Sequence, residues 1–134
     1  MSKQRIIPAV DLADALKELL GTIAHDLLFV LADEQTAQLC YPLVKDAVGE
    51  AHLITIPAGD DNKHVDSLCH VWNELSSHGA TRHSLLINVG GGMVTDLGGF
   101  AASTFKRGIN YINIPTTLLS MVDASVGGKT GINF

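Results

Sequence analysis

The amino-acid sequence predicts an α/β fold built around a parallel sheet. Short continuous apolar runs, which are typical of buried parallel strands, alternate with segments whose apolar residues recur at helical spacing. Strands and helices that alternate in this way form strand–helix–strand units. The 134 residues are enough for one domain that buries its own core without disulfides or metal ions.

Four segments are predicted to be the strands of this sheet. The first, LLFVLAD, ends in Asp33, and the segments HLITI, SLLINV and YINIP follow it along the chain. We expect all four to lie parallel with right-handed crossovers, which is the usual hand of such connections. The predicted strands are residues 27–32, 52–56, 84–89 and 111–115.

Helices are predicted between these strands from the spacing of apolar residues. Gly21 and Gly79 are the expected stop residues of two of them, and Pro42 must kink or interrupt a third. The predicted helical segments are the stripe Leu12, Leu16, Leu19 and Leu20, residues 36–48, the stripe Val65, Leu68, Cys69, Trp72 and Leu75, residues 96–105, and a short helix that opens at Thr116 and Thr117.

Composition and charge argue against several classes of protein. Nine basic and fourteen acidic residues give a net charge of -5, so no basic stripe is available for nucleic acid or an anionic membrane surface. A content of 46% hydrophobic and 17% charged residues argues against disorder. No signal peptide is evident and no uncharged apolar run reaches about 18 residues. We expect a cytoplasmic protein in which Cys40 and Cys69 are buried, reduced thiols.

The strongest local signal is the run GGGMVTD, from Gly90 to Asp96, between a predicted strand and a predicted helix. Glycines let a backbone approach a ligand closely, and a helix N-terminus offers free N–H groups and a positive dipole end, which suits a pyrophosphate. The run lacks the GxGxxG spacing of dinucleotide-binding turns. A tight turn that merely requires glycine remains the alternative interpretation.

Polar residues that follow other predicted strands are further candidates for a nucleotide site. Asp33 ends the first strand, where an acid accepts hydrogen bonds from ribose hydroxyls or, equally well, caps the next helix. Asp60 and Lys63 follow the second strand, in a loop that either covers a nucleotide or is simply solvated. Thr116 and Thr117 follow the fourth strand.

The last fifty residues combine many glycines with few charges. Nine of the thirteen glycines lie between Gly90 and Gly131. Asp123 and Lys129 are isolated charges in an apolar and glycine-rich stretch, and such charges are costly to desolvate without a partner or a ligand. Arg107 is a candidate clamp for phosphate or carboxylate, with a solvated helix end as its alternative role.

The histidines show no recognisable metal-binding pattern. None of the six forms an HExxH motif or a zinc-finger spacing, so we expect all of them to be surface or loop residues. The sequence therefore predicts no metal site in this chain. The six are His25, His52, His64, His70, His78 and His83.

The run GGGMVTDLGGFAASTFKRGINYINIPTTLLSMVDASVGGKTGIN closely resembles the 3-dehydroquinate synthase family. The segment GDDNK resembles that family's GExxK loop, and LLFVLADE resembles its first Rossmann-type strand and acid. The resemblance covers residues 27–134 and departs from the family at Thr95, where glycine is usual, and at Asp60, where glutamate is usual.

The resemblance implies a fold and an activity. The fold is a Rossmann-like open parallel sheet with helices on both faces. The family converts DAHP, a seven-carbon keto sugar-acid phosphate, into 3-dehydroquinate and phosphate in the shikimate pathway. Its bound NAD takes a hydride from a substrate alcohol and later returns it, so the conversion is redox-neutral overall. Zinc or another divalent metal polarises the substrate oxygen.

The resemblance also assigns roles to residues of this chain. The implied substrate contacts are Asp123, Lys129 and Arg107, and the implied NAD contacts are Asp33, Asp60, Lys63, Gly91, Gly92, Asp96, Thr116 and Thr117. Family members are two-domain enzymes, and their metal ligands lie in a second, helical domain that follows the matched region. Residues 1–134 therefore correspond to the NAD-binding domain alone, and the complete enzyme is expected to be a homodimer.

Two expectations and two alternatives follow. The 134 residues alone should not turn over DAHP, and residues 118–134 should be disordered or covered by another protein surface. One alternative is a sibling cyclase that acts on another sugar phosphate. The other is a nucleotide-binding module without catalysis. A polyol dehydrogenase on the same scaffold is disfavoured by the run VDASVGGKTG.

Overall fold

The structure is a computed structural model and describes residues 4–8, 12–58, 64–115, 121–126 and 131–133. None of the helices within these residues is long and apolar enough to cross a membrane. The elements follow one another as β1 (Gln4–Pro8), α1 (Leu12–Thr22), β2 (Leu28–Asp33), α2 (Glu34–Leu39), α3 (Tyr41–Val48), β3 (His52–Ile56), α4 (His64–Ser77), β4 (Leu85–Gly90), α5 (Gly92–Thr104), β5 (Asn110–Pro115), β6 (Met121–Val126) and β7 (Gly131–Asn133).

The predicted parallel sheet is confirmed. The strands lie in the order β1-β6-β7-β5-β4-β2-β3, and the neighbours β2 and β3, β2 and β4, and β4 and β5 all run parallel. The four predicted strands agree with the observed β2, β3, β4 and β5 to within one residue at each end. Continuous apolar runs identify these strands because a sheet covered on both faces buries every residue of its central strands, as β4 does here.

The helices differ from the predicted segments in two places. The segment 36–48 is broken at Cys40, and Pro42 stands in the first turn of α3, where its missing N–H costs no helical hydrogen bond. Helix α5 begins at Gly92, four residues before the predicted start at residue 96. Glycine has a low helix propensity, so the sequence pattern hides this start.

The carboxyl-terminal segment was expected to be disordered or covered by another protein surface, and its described part is ordered. Residues 121–126 and 131–133 are strands of the same sheet: β7 runs parallel to β5, and β6 runs antiparallel to both β7 and β1. These strands gain backbone hydrogen bonds from partners that include the opposite end of the chain, which a local pattern does not reveal. The expected short helix at Thr116 and Thr117 lies outside the described residues.

Two apolar clusters cover the two faces of the sheet, which confirms the prediction of helices on both faces. On one face, Leu16 of α1 and Val44 of α3 are fully buried against the sheet. On the other face, Leu75 of α4 and Ala101 of α5 are fully buried. The prediction of two buried thiols is half wrong, because Cys40 is buried whereas Cys69 is exposed on α4.

Helix α5 lies unusually close to β4. A Cβ atom added at Gly98 would lie 1.9 Å from Oδ1 of Asn88, so only glycine permits this approach. The buried Asn88 Nδ2 donates to Oδ1 of Asn113 at 2.9 Å, while Asn88 Oδ1 accepts no hydrogen bond within the described residues. The close packing fixes the first turn of α5 relative to the end of β4.

Candidate functional site

The carboxyl ends of β2 and β4 form the point at which the sheet topology divides. From β2 the chain passes through α2 and α3 to β3 on one side, and from β4 it passes through α5 to β5 on the other side. Helices α3 and α5 pack on opposite faces of the sheet. Ligands of open α/β sheets bind in the crevice that such a division leaves between the two loops.

The three glycines of the turn after β4 serve two purposes. A Cβ atom added at Gly90 would lie 2.6 Å from Cβ of Val94, so Gly90 allows the helix to pack against the strand. A Cβ atom added at Gly91 or Gly92 would meet no atom within 4 Å. Among the described residues, the backbone of Gly91 and Gly92 therefore faces open space. The alternative interpretation, a tight turn that merely requires glycine, is supported at Gly90.

The N-terminus of α5 has no side-chain cap. Gly91 occupies the N-cap position in an extended conformation, and no side chain among the described residues accepts from the first N–H groups of the helix. These donors carry the positive end of the helix dipole and suit an anionic group. The described part of the structure thus holds the elements of an anion site: free donors, an open approach and a rigid helix.

Thr95, where the resembling family usually has glycine, is accommodated without distortion. Its backbone N–H donates to the carbonyl of Gly91 at 3.1 Å, as in a regular helix. Its hydroxyl bonds back to the carbonyls of Gly91 and Gly92 at 3.3 and 3.2 Å. The hydroxyl therefore points along the helix, away from the free N–H groups.

Asp33 caps the helix that follows β2. Its Oδ1 accepts from the N–H groups of Gln35 and Thr36, both at 2.8 Å, and the hydroxyl of Thr36 in turn accepts from the N–H of Asp33. This reciprocal pair is a capping box. The hydrogen bonds to the carboxylate go to Oδ1, and Oδ2 accepts none within the described residues, so capping leaves one oxygen available to a ligand.

An apolar groove adjoins the glycine turn between α4 and α5. Its volume is about 680 Å³. Asp96 is exposed on its wall and makes no hydrogen bond with another described residue. The groove gives the turn an open approach with a single negative charge, and its lining is Val65, Leu68, Gly92, Met93, Asp96, Leu97 and Phe100.

Arg107 lies at the edge of the sheet opposite to the glycine turn, where the strands begin. It follows the carboxyl end of α5 and precedes β5, in a single 3-10 turn where Lys106 and Arg107 both have positive φ angles of 46° and 69°. Helix α5 has 13 residues, which corresponds to about 20 Å. Within one protomer the structure does not bring Arg107 near Gly91, Asp33 or Asp96.

Of the remaining predicted site residues, Asp123 alone lies within the described part of the chain. It belongs to β6, where its backbone pairs with that of Ile6 in β1. The strands β3 and β5, which precede four of the other residues in the chain, both end at the same edge as β2 and β4. The residues outside the described part are Asp60, Lys63, Thr116, Thr117 and Lys129.

The structure brings together three side chains that the sequence pattern missed. His52, at the start of β3, contacts Glu74 and His78 at the end of α4, and these residues offer ligand atoms within 4.8 Å of one another. The expectation that all six histidines are surface or loop residues holds for the exposed His78, whereas His52 is a partly buried residue of β3. Histidine spacing could not reveal this group, because His52 and Glu74 are 22 residues apart and belong to different elements.

A second group of polar side chains lies at the amino ends of the strands, which we call the amino edge of the sheet. It consists of Asp26, Thr81 and Ser84. The hydroxyl of Thr81 donates to Oδ2 of Asp26, and the hydroxyl of Ser84 donates to Oδ1 at 2.8 Å. The bond from Thr81 and, to a smaller extent, that from Ser84 lower the pKa of Asp26 from 3.8 to about 2. The hydrogen bond from His52 likewise holds the pKa of Glu74 below its ordinary value.

Comparison with known proteins assigns the chain to a family. The model of the family described as 3-dehydroquinate synthase N-terminal matches residues 53–134. A 3-dehydroquinate synthase of Parabacteroides distasonis is 53% identical over the whole of this chain. The chain spans 38% of the length of that relative.

Solved structures share the same fold. A 2-deoxy-scyllo-inosose synthase matches 85% of this chain, and 36% of its own chain is covered, with a TM-score of 0.70 at 20% identity. A 2-epi-5-epi-valiolone synthase of Streptomyces hygroscopicus, solved with NAD+ and Zn2+, matches 75% of this chain and is covered over 29% of its own, with a TM-score of 0.64 at 28% identity. Together with the family match over residues 53–134, these likenesses confirm the Rossmann-like fold, and the chain belongs to the 3-dehydroquinate synthase family.

Proposed function

We propose that these residues form the NAD-binding part of a 3-dehydroquinate synthase, which converts DAHP into 3-dehydroquinate and phosphate. The relative that is 53% identical along the whole chain carries this name. The observation that carries the nucleotide-binding role is the uncapped N-terminus of α5, which two open glycines expose at the division of the sheet. NAD supplies the chemistry of hydride acceptance and return, and the protein orients it.

The described residues fit the cofactor in two respects. The free N–H groups at the N-terminus of α5, next to Gly91 and Gly92, suit a pyrophosphate, because no described side chain accepts from them. A ribose hydroxyl is matched by Oδ2 of Asp33, since the capping box uses the other oxygen. Asp96 would contact the cofactor from the groove, and Asp60, Lys63, Thr116 and Thr117 complete the proposed set.

The substrate role rests on fewer observations. Asp123 and Lys129 are proposed to contact DAHP because they are isolated charges in the glycine-rich run that identifies the family. Arg107 is also proposed to contact DAHP, although it follows the carboxyl end of α5, about 20 Å from the glycine turn. Zinc or another divalent metal, bound by ligands outside residues 1–134, and a homodimer belong to the proposed complete enzyme.

Sequence identity to known enzymes, rather than the shared fold, favours DAHP as the substrate. The sugar-phosphate cyclases with known structures share the fold at 20 and 28% identity, whereas the 3-dehydroquinate synthase relative reaches 53%. A sibling cyclase is therefore the second candidate function. We expect residues 1–134 alone to bind NAD without releasing phosphate from DAHP, because the family's metal ligands lie outside them.

The proposal is tested by titrating NAD+ into the purified protein and into Asp33→Asn. Asparagine is as good an N-cap as aspartate, so the variant should keep its Tm while losing the charged acceptor for a ribose hydroxyl. A hydrogen bond to a charged group is worth about 1.5–3 kcal/mol, which corresponds to roughly 10-fold to 150-fold in affinity. Calorimetry measures the dissociation constant for both proteins.

The matched control is Asp26→Asn, which removes the same charge at the opposite edge of the sheet. Its affinity for NAD+ should equal that of the unmodified protein. Equal affinities of Asp33→Asn and Asp26→Asn would refute the role of Asp33. The absence of saturable NAD+ binding to the unmodified protein would contradict the nucleotide-binding proposal itself.

A further inference from the structure

We propose that His52, Glu74 and His78 form a binding site for a divalent transition-metal ion of the Zn2+ type. The site joins the start of the edge strand β3 to the end of helix α4. It lies at the amino edge of the sheet, whereas the glycine turn lies at the carboxyl edge. The 14 residues of α4 correspond to about 20 Å, so the two sites are well separated.

The three side chains lie close together in the structure. Nε2 of His52 lies 2.9 Å from Oε1 of Glu74, and the rings of His52 and His78 stack with their centroids 3.6 Å apart. One ligand atom from each residue lies within 4.8 Å of the other two. Ligand atoms on a tetrahedral zinc ion are somewhat closer together than this, because each lies about 2.0–2.2 Å from the metal. Small side-chain rotations therefore complete the set.

Neighbouring groups orient the two imidazoles. Nδ1 of His78 lies 3.0 Å from the backbone carbonyl of Glu74, and a carbonyl only accepts, so Nδ1 donates. That bond fixes the tautomer in which Nε2 carries a lone pair, as in many histidine ligands of metals. The buried ring of Phe29 packs edge-on against His52, with centroids 6.0 Å apart. Phe29 thus restrains the ring of His52, and the carbonyl of Glu74 sets the tautomer of His78.

Metal binding requires one identifiable movement. The two imidazole planes are inclined by only 21°, so their lone pairs do not yet converge on one point. His78 is exposed and free to turn, whereas His52 and Glu74 are each about one-third exposed in their side chains. Nε2 of His52 contacts Oε1 of Glu74, so it must carry a lone pair in place of a proton when it binds the metal.

The donor set selects the class of ion. Two imidazole nitrogens and one carboxylate suit Zn2+, Co2+, Ni2+ and Cu2+, whereas Mg2+ and Ca2+ prefer oxygen ligands alone. Three protein ligands leave one coordination position for water. The ion would link the outermost strand, β3, to α4. Because it would bind the folded protein and not the unfolded chain, it would raise the free energy of unfolding.

The experiment counts bound Co2+ on metal-depleted protein near neutral pH, using the visible absorption of tetrahedral Co2+ and a parallel Zn2+ titration by calorimetry. The variants are His78→Ala and Glu74→Gln, and the control is His83→Ala. His83 is an exposed histidine, and it is a better control than His70, which lies one helical turn from Glu74. Circular dichroism verifies that each variant is folded.

The proposal expects His78→Ala and Glu74→Gln to lose one equivalent of tight Co2+, or to bind it at least about ten-fold more weakly, since even partners outside the coordination sphere contribute about 10–100-fold. His83→Ala should match the unmodified protein. Zn2+ should raise the Tm of the unmodified protein and of His83→Ala more than that of His78→Ala. Identical stoichiometry and affinity in all four proteins, or no Co2+ bound by the unmodified protein, would overturn the proposal.

Discussion

The carboxyl and amino ends of the strands carry different polar groups: free backbone N–H groups at one edge of the sheet and paired side chains at the other. At the carboxyl edge, the turn into α5 consists of glycine backbone, and its N–H groups have no side-chain partner in the part of the chain that the structure describes. At the amino edge, side chains satisfy one another: Asp26 accepts from Thr81 and Ser84, and His52 contacts Glu74. The difference teaches that the edge proposed to bind NAD offers backbone donors without side-chain partners among the described residues, whereas at the other edge polar side chains pair with one another before any ligand binds.

The largest expected effect concerns packing within the carboxyl edge. Gly90→Ala should destabilise the protein by about 2–3 kcal/mol, because the new Cβ would lie 2.6 Å from Cβ of Val94, an atom fixed to the helix backbone. Gly91→Ala should cost much less, since its Cβ would meet no atom within 4 Å. Urea denaturation of both variants measures the difference. Equal losses of stability would show that the two glycines do not differ in the way the comparison requires.

A smaller effect is expected at the amino edge, where Asp26 titrates. Its folded pKa of about 2 lies below its ordinary value of 3.8, so its hydrogen bonds stabilise the folded protein above pH 3.8 and are lost as the pH falls toward 2. Asp26 is exposed, so we expect no more than about 1 kcal/mol.

The measurement compares the free energy of unfolding of the unmodified protein with that of Asp26→Asn across this pH range. The advantage of the unmodified protein should be present near neutral pH and should shrink between pH 4 and pH 2. A difference that stays constant with pH would mean that the carboxylate is not the group responsible.

The sequence predicts those parts of the molecule that depend on local pattern. The runs at β2 and β4 are apolar throughout because both faces of these strands are buried, and that property is visible without a structure. The two possible roles of Asp33 were also both visible, and the structure adds that one carboxylate oxygen performs the capping.

Features that depend on distant contacts could not be predicted. Helix α5 starts at Gly92 despite the low helix propensity of glycine, and it packs closely on β4 through Gly98 and Asn88, a tertiary contact that no local pattern shows. The pairing of β1 with β6 joins the two ends of the chain. The contact of His52 with Glu74 depends on which strand lies at the edge beside α4, and no residue spacing encodes that order.

The central claim is that the N-terminus of α5, beneath its open glycines, holds the pyrophosphate of NAD. The most direct test compares Gly92→Leu with Gly21→Leu. Both glycines are exposed, lie in helices and have open space around the position of an added Cβ, so each variant should be as stable as the unmodified protein or slightly more stable. Calorimetric titration with NAD+ should give an unchanged dissociation constant for Gly21→Leu and one at least about ten-fold higher for Gly92→Leu, equivalent to about 1.4 kcal/mol or more. A folded Gly92→Leu protein that binds NAD+ as tightly as Gly21→Leu would contradict the account.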